Sequence, residues 1–233
     1  MNTPNLETTV GELVRAAPIR ARVFEKLGID YCCGGKKPLA EVCTAKGLDA
    51  ATVLTMLEAL DGAAAGDAPV DANAMSMAQL CDHIETAHHG YLREELPRLD
   101  FMTRKVAAVH GADEPRLIEV RSVFERFAPE LMSHMADEEA AVFPRIRKLD
   151  STTGSPAGRE ELNAAISELE REHADAGGAL ERFRELTDGY VPPEWACNTF
   201  RALYDGLARL ERDMHQHVHK ENNVLFPRAL AAA

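Results

Sequence analysis

One short helical motif occurs twice in the chain and constrains its fold more than any other feature. Each copy has a histidine, a glutamate four residues later, and a Phe-Pro-Arg sequence that begins nine residues after the histidine. The copies begin at His134 and His217, 83 positions apart, and one helix earlier His89 and His173 are 84 positions apart. Residues at i and i+4 lie about 40° apart around a helix, so each His–Glu pair shares a face. We therefore predict two helical hairpins, related by pseudo-symmetry, whose side chains converge on one centre.

The C-terminal two-thirds of the chain has a helical pattern throughout. Apolar residues recur at helical spacing over four long segments, at about 76–110, 114–148, 158–188 and 194–230. Alternating Val/Ile/Thr runs and Asn-Gly turns, which would indicate strands and hairpins, are missing. Four long amphipathic helices with short connections favour an antiparallel bundle. The predicted fold class is therefore all-α.

The first 61 residues differ from the rest because their helical segments are short. Between the second and third of these lies Asp30-Tyr31-Cys32-Cys33-Gly34-Gly35, which is too rich in glycine to be helical. A stretch of small and polar residues that ends at Pro69 suits a linker. We predict a small helical domain at 1–61, a linker at 62–75 and a four-helix bundle at 76–233.

Acidic residues outnumber basic ones by 38 to 26, which gives a formal net charge of −12. Such a surface repels phosphate backbones, so nucleic-acid binding is not expected. No apolar run approaches the roughly 18 residues of a membrane span. The N-terminal residues lack the basic and apolar stretches of a secretory signal, so a cytoplasmic location is expected. An odd count of five cysteines, with no CxxC pair, fits reduced thiols better than disulfides.

A single His–Glu pair at this spacing is common on helix surfaces and would be weak evidence for a metal site. Two copies with matched Phe-Pro-Arg sequences are much stronger, and they predict Glu138 and Glu221 as carboxylates that bridge two metal ions. Four histidines and two glutamates leave room for an oxo or hydroxo bridge and an open coordination position. Buried carboxylates are costly without cations nearby. This donor set favours two iron ions over structural zinc, although zinc and manganese accept the same ligand types.

The chain has nine histidines, and their assignment is only partly settled by pattern. His215 and His219 lie two residues on either side of His217, about 160° off its face, and are expected to face solvent. In the first bundle helix, apolar periodicity slightly favours His88 over His89. Periodicity alone therefore leaves open which of these two faces the centre.

Cys32 and Cys33 have a structural and a functional interpretation. In the first, their thiols are incidental to a tight turn. In the second, Lys36 and Lys37 lower the thiol pKa values, and the thiolates receive or deliver iron or react with nitrosyl species. Adjacent side chains diverge, so the pair is not expected to chelate one metal well. The other cysteines fall in helical patterns and are expected to pack: Cys43, Cys81 and Cys197.

Together these motifs resemble the di-iron "repair of iron centres" family. The Asp-Tyr-Cys-Cys-Gly-Gly segment resembles the ScdA-type N-terminal domain of that family, and the segment 221–228 resembles its last helix. Ser133-His134 and Glu170-x-x-His173 match its middle ligand segments. In the first bundle helix, Asp82-His83-Ile84 followed by the segment 93–97 sets the register. This resemblance covers nearly the whole chain and selects His89 over His88.

The resemblance implies a hemerythrin-like bundle with two non-haem iron ions per chain. The ligands it implies are His89, His134, Glu138, His173, His217 and Glu221. It implies a role in restoring iron–sulfur clusters damaged by nitric oxide or oxidants, with iron–sulfur proteins as clients. Members of the family are also linked to binding or reducing nitric oxide.

Three functions are therefore considered. The first is a repair factor that donates iron, with the N-terminal thiols as a transfer arm. The second is a protein that binds nitric oxide or dioxygen at an open iron position; as an enzyme, it would be a di-iron nitric oxide reductase-type oxidoreductase. The third is a metal-free helical interaction module, which the matched repeats disfavour. Gas binding by the bundle should survive the loss of Cys32 and Cys33, which separates the second function from the first.

Overall fold

The structure, a computed structural model, describes residues 4–63, 70–150 and 156–233. Within these ranges the chain is helical and forms no β-strand, and an isolated bridge joins Thr9 to Pro38. None of the helices in the same ranges is both long enough and apolar enough to cross a lipid bilayer. The all-α fold class predicted from the sequence is confirmed.

The N-terminal part consists of short helices with local start and stop signals. The Thr9 hydroxyl accepts a hydrogen bond from the backbone N–H of Glu12 and so caps the first helix. Gly28 ends the second helix with φ at 63°, a left-handed conformation that glycine adopts without a steric penalty. The elements are α1 Val10–Ala16, a 3₁₀ turn Pro18–Arg20, α2 Ala21–Leu27, α3 Leu39–Lys46 and α4 Ala50–Ala63.

Four long helices form the rest of the molecule, and three of them contain a π-helical segment. The first begins at a capping box made by Ser76 and Gln79. In order they are α5 Met77–Ile84, π Glu85–His89 and α6 Gly90–His110; α7 Arg116–Asp137, π Glu138–Val142 and α8 Phe143–Leu149; α9 Pro156–Leu186; and α10 Asn198–Lys220, π Glu221–Leu225 and α11 Phe226–Ala232.

Contacts between helix ends show that the bundle is antiparallel. The start of the first bundle helix lies beside the end of the second, where the Ala78 N–H donates to the Asp150 carboxylate at 2.7 Å. The start of the second lies beside the end of the third, where Arg116 pairs with Asp188 at 2.8 Å. The predicted arrangement of the four helices is therefore confirmed.

The repeated Phe-Pro-Arg sequence accounts for two of the π segments. The backbone N–H of Phe143 bonds to the carbonyl of Glu138, and that of Phe226 to the carbonyl of Glu221, a five-residue spacing in both cases. Proline follows each phenylalanine; it lacks an N–H and would clash with the carbonyl four residues earlier in a regular helix. The wider π turn relieves this conflict. Each of these two π segments begins at one of the two predicted bridging glutamates.

Apolar side chains form three separate clusters. One lies within the N-terminal helices and contains Val10, Phe24 and Leu57. The other two lie in the bundle, one around Phe124 and Phe183 and one at the opposite end. The separate N-terminal core supports the division into domains at 1–61 and 76–233, which we keep as a proposal. Within the predicted linker, α4 extends to residue 63 and a 3₁₀ turn occupies Ala72–Ala74, while 64–69 lie outside the described residues.

The N-terminal part docks on the third and fourth bundle helices. The Asn223 side chain donates to the Cys32 carbonyl at 3.2 Å, and Lys36 pairs with Glu170 at 3.1 Å. A methyl group on Gly35 would come within 2.7 Å of the Asn223 Oδ1, so the close approach requires glycine there.

This docking overturns the prediction that His215 and His219 face solvent. His219 is buried, and its ring contacts Tyr31 edge-on at 5.4 Å between centroids. His215 is half-buried and meets the same tyrosine at 5.8 Å. Helical periodicity placed both histidines off the centre, but it could not show that a second part of the chain covers that face.

Candidate metal centre

The six predicted ligand residues meet in one buried layer between the two apolar clusters of the bundle. Glu138 and Glu221 begin two of the π segments, and His89 ends the third. The two other histidines of the repeat lie one helical turn before the glutamates, and His173 lies in α9. All six side chains are buried, with the most accessible, His134, only 5% exposed.

The layer contains two groups of four potential ligands, and both glutamates belong to both groups. Within each group the ligand atoms all lie within 4.8 Å of one another. The first group is His89, Glu138, His217 and Glu221, and the second is His134, Glu138, His173 and Glu221.

Each glutamate directs one oxygen toward each group. Glu138 places Oε2 at 3.3 Å from His89 Nε2 and Oε1 at 3.4 Å from His134 Nε2. Glu221 places Oε1 at 3.0 Å from His217 Nε2 and Oε2 at 3.2 Å from His173 Nε2. This is the arrangement in which two carboxylates could bridge a pair of cations.

The electrostatics of the layer favour cations. Glu138 and Glu221 are fully buried, and among the described residues neither Glu138 oxygen has a hydrogen-bond partner. Burial acts to raise the pKa of Glu221, but His217 and His173 outweigh it and hold that pKa well below its usual range. Burial acts to lower the pKa of His134, but Glu138 outweighs it, with Glu221 and Glu172, and raises it to about 9. Ionised carboxylates in an apolar setting need positive charge close by, and metal ions supply it.

Hydrogen bonds orient three of the imidazoles through their second nitrogen. His89 Nδ1 lies 2.7 Å from Glu139, His134 Nδ1 lies 2.6 Å from Glu172, and His173 Nδ1 lies 2.9 Å from the Asn222 oxygen. Because each acceptor can receive a hydrogen bond from Nδ1–H, the neutral form of each ring would present the Nε2 lone pair to a metal at the centre.

The phenylalanines of the repeat pack on two of the predicted ligand histidines. Phe143 lies against His89 with centroids 5.8 Å apart and an angle of 14° between the rings. Phe226 lies against His173 at 6.2 Å and 4°. Each copy of the repeat therefore supplies a glutamate and the aromatic ring that supports a histidine from the preceding helix.

His88 and His89 are both buried, which explains why periodicity could not separate them. His89 faces the centre, whereas His88 stacks on His217 at 5.3 Å with the rings 4° from parallel. Its Nδ1 lies 2.8 Å from Asp213, and Lys220 donates to its Nε2 at 2.9 Å. Burial, with the charge of Lys220, lowers the pKa of His88, so this ring is neutral.

Sequence reasoning missed the residues that orient the imidazoles: Glu139, Glu172 and Asn222. A signal was present, since Glu139 and Asn222 directly follow the glutamates of the two repeats and Glu172 directly precedes His173. Polar residues are common on helices, however, so the sequence could not show which of them turn inward.

The Cys32–Cys33 turn lies against the third bundle helix, close to the centre. The Asp30 carboxylate accepts hydrogen bonds from the backbone N–H groups of Cys32, Cys33 and Gly34, at 2.8–3.0 Å. The two sulfurs are 3.7 Å apart, and the Cys33 thiol lies 3.2 Å from the His173 carbonyl.

The structure disagrees with one interpretation and one prediction about cysteines. The functional interpretation of Cys32 involves a pKa lowered by nearby lysines, but its hydrogen bond with Cys33, its burial and the Asp30 charge raise that pKa well above the usual value. Lys36 instead pairs with Glu170. Cys43 and Cys81 are buried as predicted, whereas Cys197 is exposed at the start of α10.

Two family models match the chain. A domain of unknown function, the ScdA N-terminal domain, matches residues 6–61, and the hemerythrin HHE cation-binding domain matches residues 80–229. The chain is 36% identical over 220 residues to the iron–sulfur cluster repair protein ScdA of Staphylococcus haemolyticus, covering 94% of this chain and 96% of the relative. This chain belongs to the ScdA and YtfE family.

Other members of the ScdA and YtfE family are equally similar. The chain is 39% identical over 231 residues to the iron–sulfur cluster repair protein YtfE of Pectobacterium atrosepticum, covering 96% of this chain and 97% of that one. A YtfE protein of Escherichia coli is 37% identical over 225 residues, with coverage of 95% and 96%. The family resemblance predicted from the sequence is confirmed, and the bundle is a hemerythrin-type cation-binding domain.

Proposed function

We propose that this chain repairs damaged iron–sulfur clusters, using a non-haem centre of two iron ions held by the six buried histidines and glutamates. The observation that carries the proposal is that Glu138 and Glu221 each direct one oxygen to each of two imidazole groups. The names of its relatives support the role in repair. Imidazole and carboxylate donors suit iron, and a small bridging ligand between the ions remains a prediction from the sequence.

Bound iron would supply redox chemistry and would also be the cargo delivered to client iron–sulfur proteins. Two carboxylates and four neutral imidazoles would hold the iron, and they would leave part of the positive charge of two cations uncompensated. Glu139 and Glu172, which are half-buried, orient two of the imidazoles. A centre with partly exposed supporting groups is suited to giving up its metal.

In the proposed iron transfer through thiols, the Cys32–Cys33 turn would have to open, because it is closed in this conformation. Cys33 is near the backbone of His173, whereas Cys32 is buried and its pKa is raised. A thiolate arm would therefore need the turn to leave the bundle before Cys32 could ionise. We propose that docking of a client loosens this contact.

One observation favours a second function, in which the centre binds nitric oxide or dioxygen. A cavity of about 450 Å³ between the second and third bundle helices reaches His134 and His173. It is large enough to admit a diatomic gas to that side of the centre. A nitric oxide reductase-type activity and a role in the response to nitrosative stress are proposals on the same basis. A cytoplasmic location stays a prediction from the sequence.

The test of the metal centre is the iron content of anaerobically purified protein. We expect about two iron ions per chain in the wild type and fewer than half as many in a Glu138→Gln, Glu221→Gln double variant. Glutamine keeps the side-chain volume but cannot bridge cations as an anion. Glu211→Gln is the control, since Glu211 is also a buried carboxylate but pairs with Arg184 outside the layer. Iron retained fully in the double variant would refute the ligand assignment.

A Cys32→Ser, Cys33→Ser variant separates the two functions. Repair by iron donation through the thiols predicts that the variant keeps its iron but fails to restore a damaged client cluster. Gas binding predicts that nitric oxide affinity is unchanged. A variant that restores clusters at the wild-type rate would exclude the thiol arm and leave repair by some other route of iron release.

A further inference from the structure

A second cavity, of about 560 Å³, lies where the N-terminal helices meet the bundle. Its walls come from α1, the 3₁₀ turn and α2 on one side, and from α10 and the start of the first bundle helix on the other. We call it the interface cavity. It is distinct from the cavity that reaches His134 and His173.

Positive charge is concentrated in the interface cavity although the chain as a whole carries −12. Its walls include four cationic side chains, from Arg15, Arg22, Arg212 and Lys220. They include two carboxylates, those of Glu25 and Asp213. A ligand in the cavity lies within the Debye length of about 10 Å of these side chains, whereas salt screens the acidic surface farther away. The nearby positive charges therefore act on it more strongly.

Neutral groups contact both carboxylates in the cavity, although among the described residues the second oxygen of Asp213 has no hydrogen-bond partner. Glu25 accepts hydrogen bonds from the Tyr31 hydroxyl at 3.0 Å and from Gln216 at 3.1 Å. Asp213 accepts from His88 at 2.8 Å. Among the described residues, neither carboxylate forms an ion pair with Arg15 or Arg212.

Three of the cationic groups, those of Arg15, Arg212 and Lys220, still have donors to offer. Arg15 and Arg212 are exposed, and within the described parts of the chain neither forms an ion pair with a carboxylate. Lys220, at the inner end, contacts His88 Nε2 at 2.9 Å and the Gln216 carbonyl at 3.5 Å, both neutral acceptors. Guanidinium groups present paired N–H donors that match carboxylate and phosphate oxygens.

We propose that the interface cavity binds a small anion bearing carboxylate or phosphate groups, held by Arg15 and Arg212 at its rim and by Lys220 within. Such a ligand would touch the N-terminal helices and the fourth bundle helix together. It would also lie beside His88, whose ring stacks on the ligand histidine His217. Anion binding here does not depend on the iron chemistry proposed above, so either can fail without the other.

Calorimetric titration of the iron-loaded full chain at low ionic strength tests this site. The probes are inorganic phosphate and tricarballylate, a tricarboxylate without the hydroxyl group that strengthens iron chelation, and sodium chloride is the ionic-strength control. We expect one site per chain for at least one probe. Arg15→Gln with Arg212→Gln should weaken binding at least tenfold. Arg209→Gln, an exposed arginine on the same helix that pairs with Asp205, should change it less than twofold.

The probe that binds identifies the ligand class, and iron content measured after each titration shows that the metal stays in place. Equal affinities in wild type and the double variant, or no binding of either probe, would overturn the proposal. A measurement on the wild-type protein avoids the problem of variants that fold incorrectly. The bound anion should protect Arg15 and Arg212, but not Arg209, from phenylglyoxal, as mapped by mass spectrometry; equal modification at all three also overturns it.

Discussion

At the residue scale, the imidazoles of the centre differ in the group that contacts Nδ1, the ring nitrogen that faces away from the centre. His134 is supported by the Glu172 carboxylate, whereas among the described residues the Nδ1 of its repeat partner His217 has no hydrogen-bond partner. The His88 ring instead covers His217. In this half of the centre, His88 takes the place that Glu172 has beside His134 in the other half. The two halves therefore share ligand types but not the groups behind them.

The carboxylate behind His134 should strengthen metal binding. Replacing Glu172 with glutamine removes the negative charge that makes the imidazole a better donor, and we expect iron affinity to fall about tenfold. The rate of iron release to a coloured ferrous chelator measures this. Glu168→Gln, one turn earlier and exposed, should release iron at the wild-type rate. Equal release from both variants would mean that Glu172 does not support the centre.

The thiols should differ in reactivity. Cys32 is buried and its pKa is raised, so little thiolate is present at pH 8, whereas Cys197 is exposed. We expect iodoacetamide to modify Cys197 at least ten times faster than Cys32, with rates read by mass spectrometry of peptides. Comparable rates would indicate that the Cys32 turn opens readily in solution.

At the element scale, the π segments position the glutamates of the centre. A π turn holds one residue more than the α turn it replaces, so it changes the direction of side chains without shifting the helices on either side. Glu138 and Glu221 both lie at the start of such a segment. The same proline that widens the turn follows the phenylalanine that supports a histidine, which ties the Phe-Pro-Arg repeat to the centre.

Deleting one residue from a π segment should remove its wide turn, which leaves the proline after the phenylalanine in conflict with the carbonyl four residues earlier. Ala141 lies on the exposed side of the segment Glu138–Val142, so its loss removes no core contact. We expect helical content by circular dichroism to be unchanged while iron content falls by at least half, because the Glu138 carboxylate turns away. Ala141→Ser keeps the residue count and should retain full iron. Full iron in the deletion variant would show that the π turn is dispensable.

At the scale of the whole molecule, the N-terminal part and the bundle meet through small residues. Gly35 allows the Cys-Cys-Gly-Gly turn to lie against Asn223. Asn223 directly follows Asn222, whose side-chain oxygen contacts His173 Nδ1. Cys33 reaches the third helix at the His173 backbone. The position of the N-terminal part is thus linked mechanically to one side of the centre.

Crowding this contact should separate the two parts. Gly35→Ala places a methyl group within 2.7 Å of Asn223 Oδ1 and of the Tyr31 carbonyl, and we expect it to destabilise the turn and its docking together by about 1–3 kcal/mol. Limited proteolysis should then cut the N-terminal part faster while the bundle keeps its iron. Gly178→Ala, a helical site with no neighbour within 4 Å of the added methyl, should be neutral or slightly stabilising. Unchanged proteolysis of Gly35→Ala would show that the contact tolerates the methyl group.

The sequence by itself determined the all-α class and the four helices of the bundle. It also predicted the residues of the metal-centre layer, with His89 chosen over His88 only through the family resemblance. Helical periodicity and the spacing of the repeat depend only on local backbone geometry, and the His and Glu residue types limit the chemistry. Tertiary structure alone decided that His215 and His219 are covered, that Cys32 is buried with a raised pKa, and that Cys197 is exposed. It also decided which polar neighbours orient the imidazoles. These properties depend on which surfaces meet, and contact between distant parts of a chain leaves no period in its sequence.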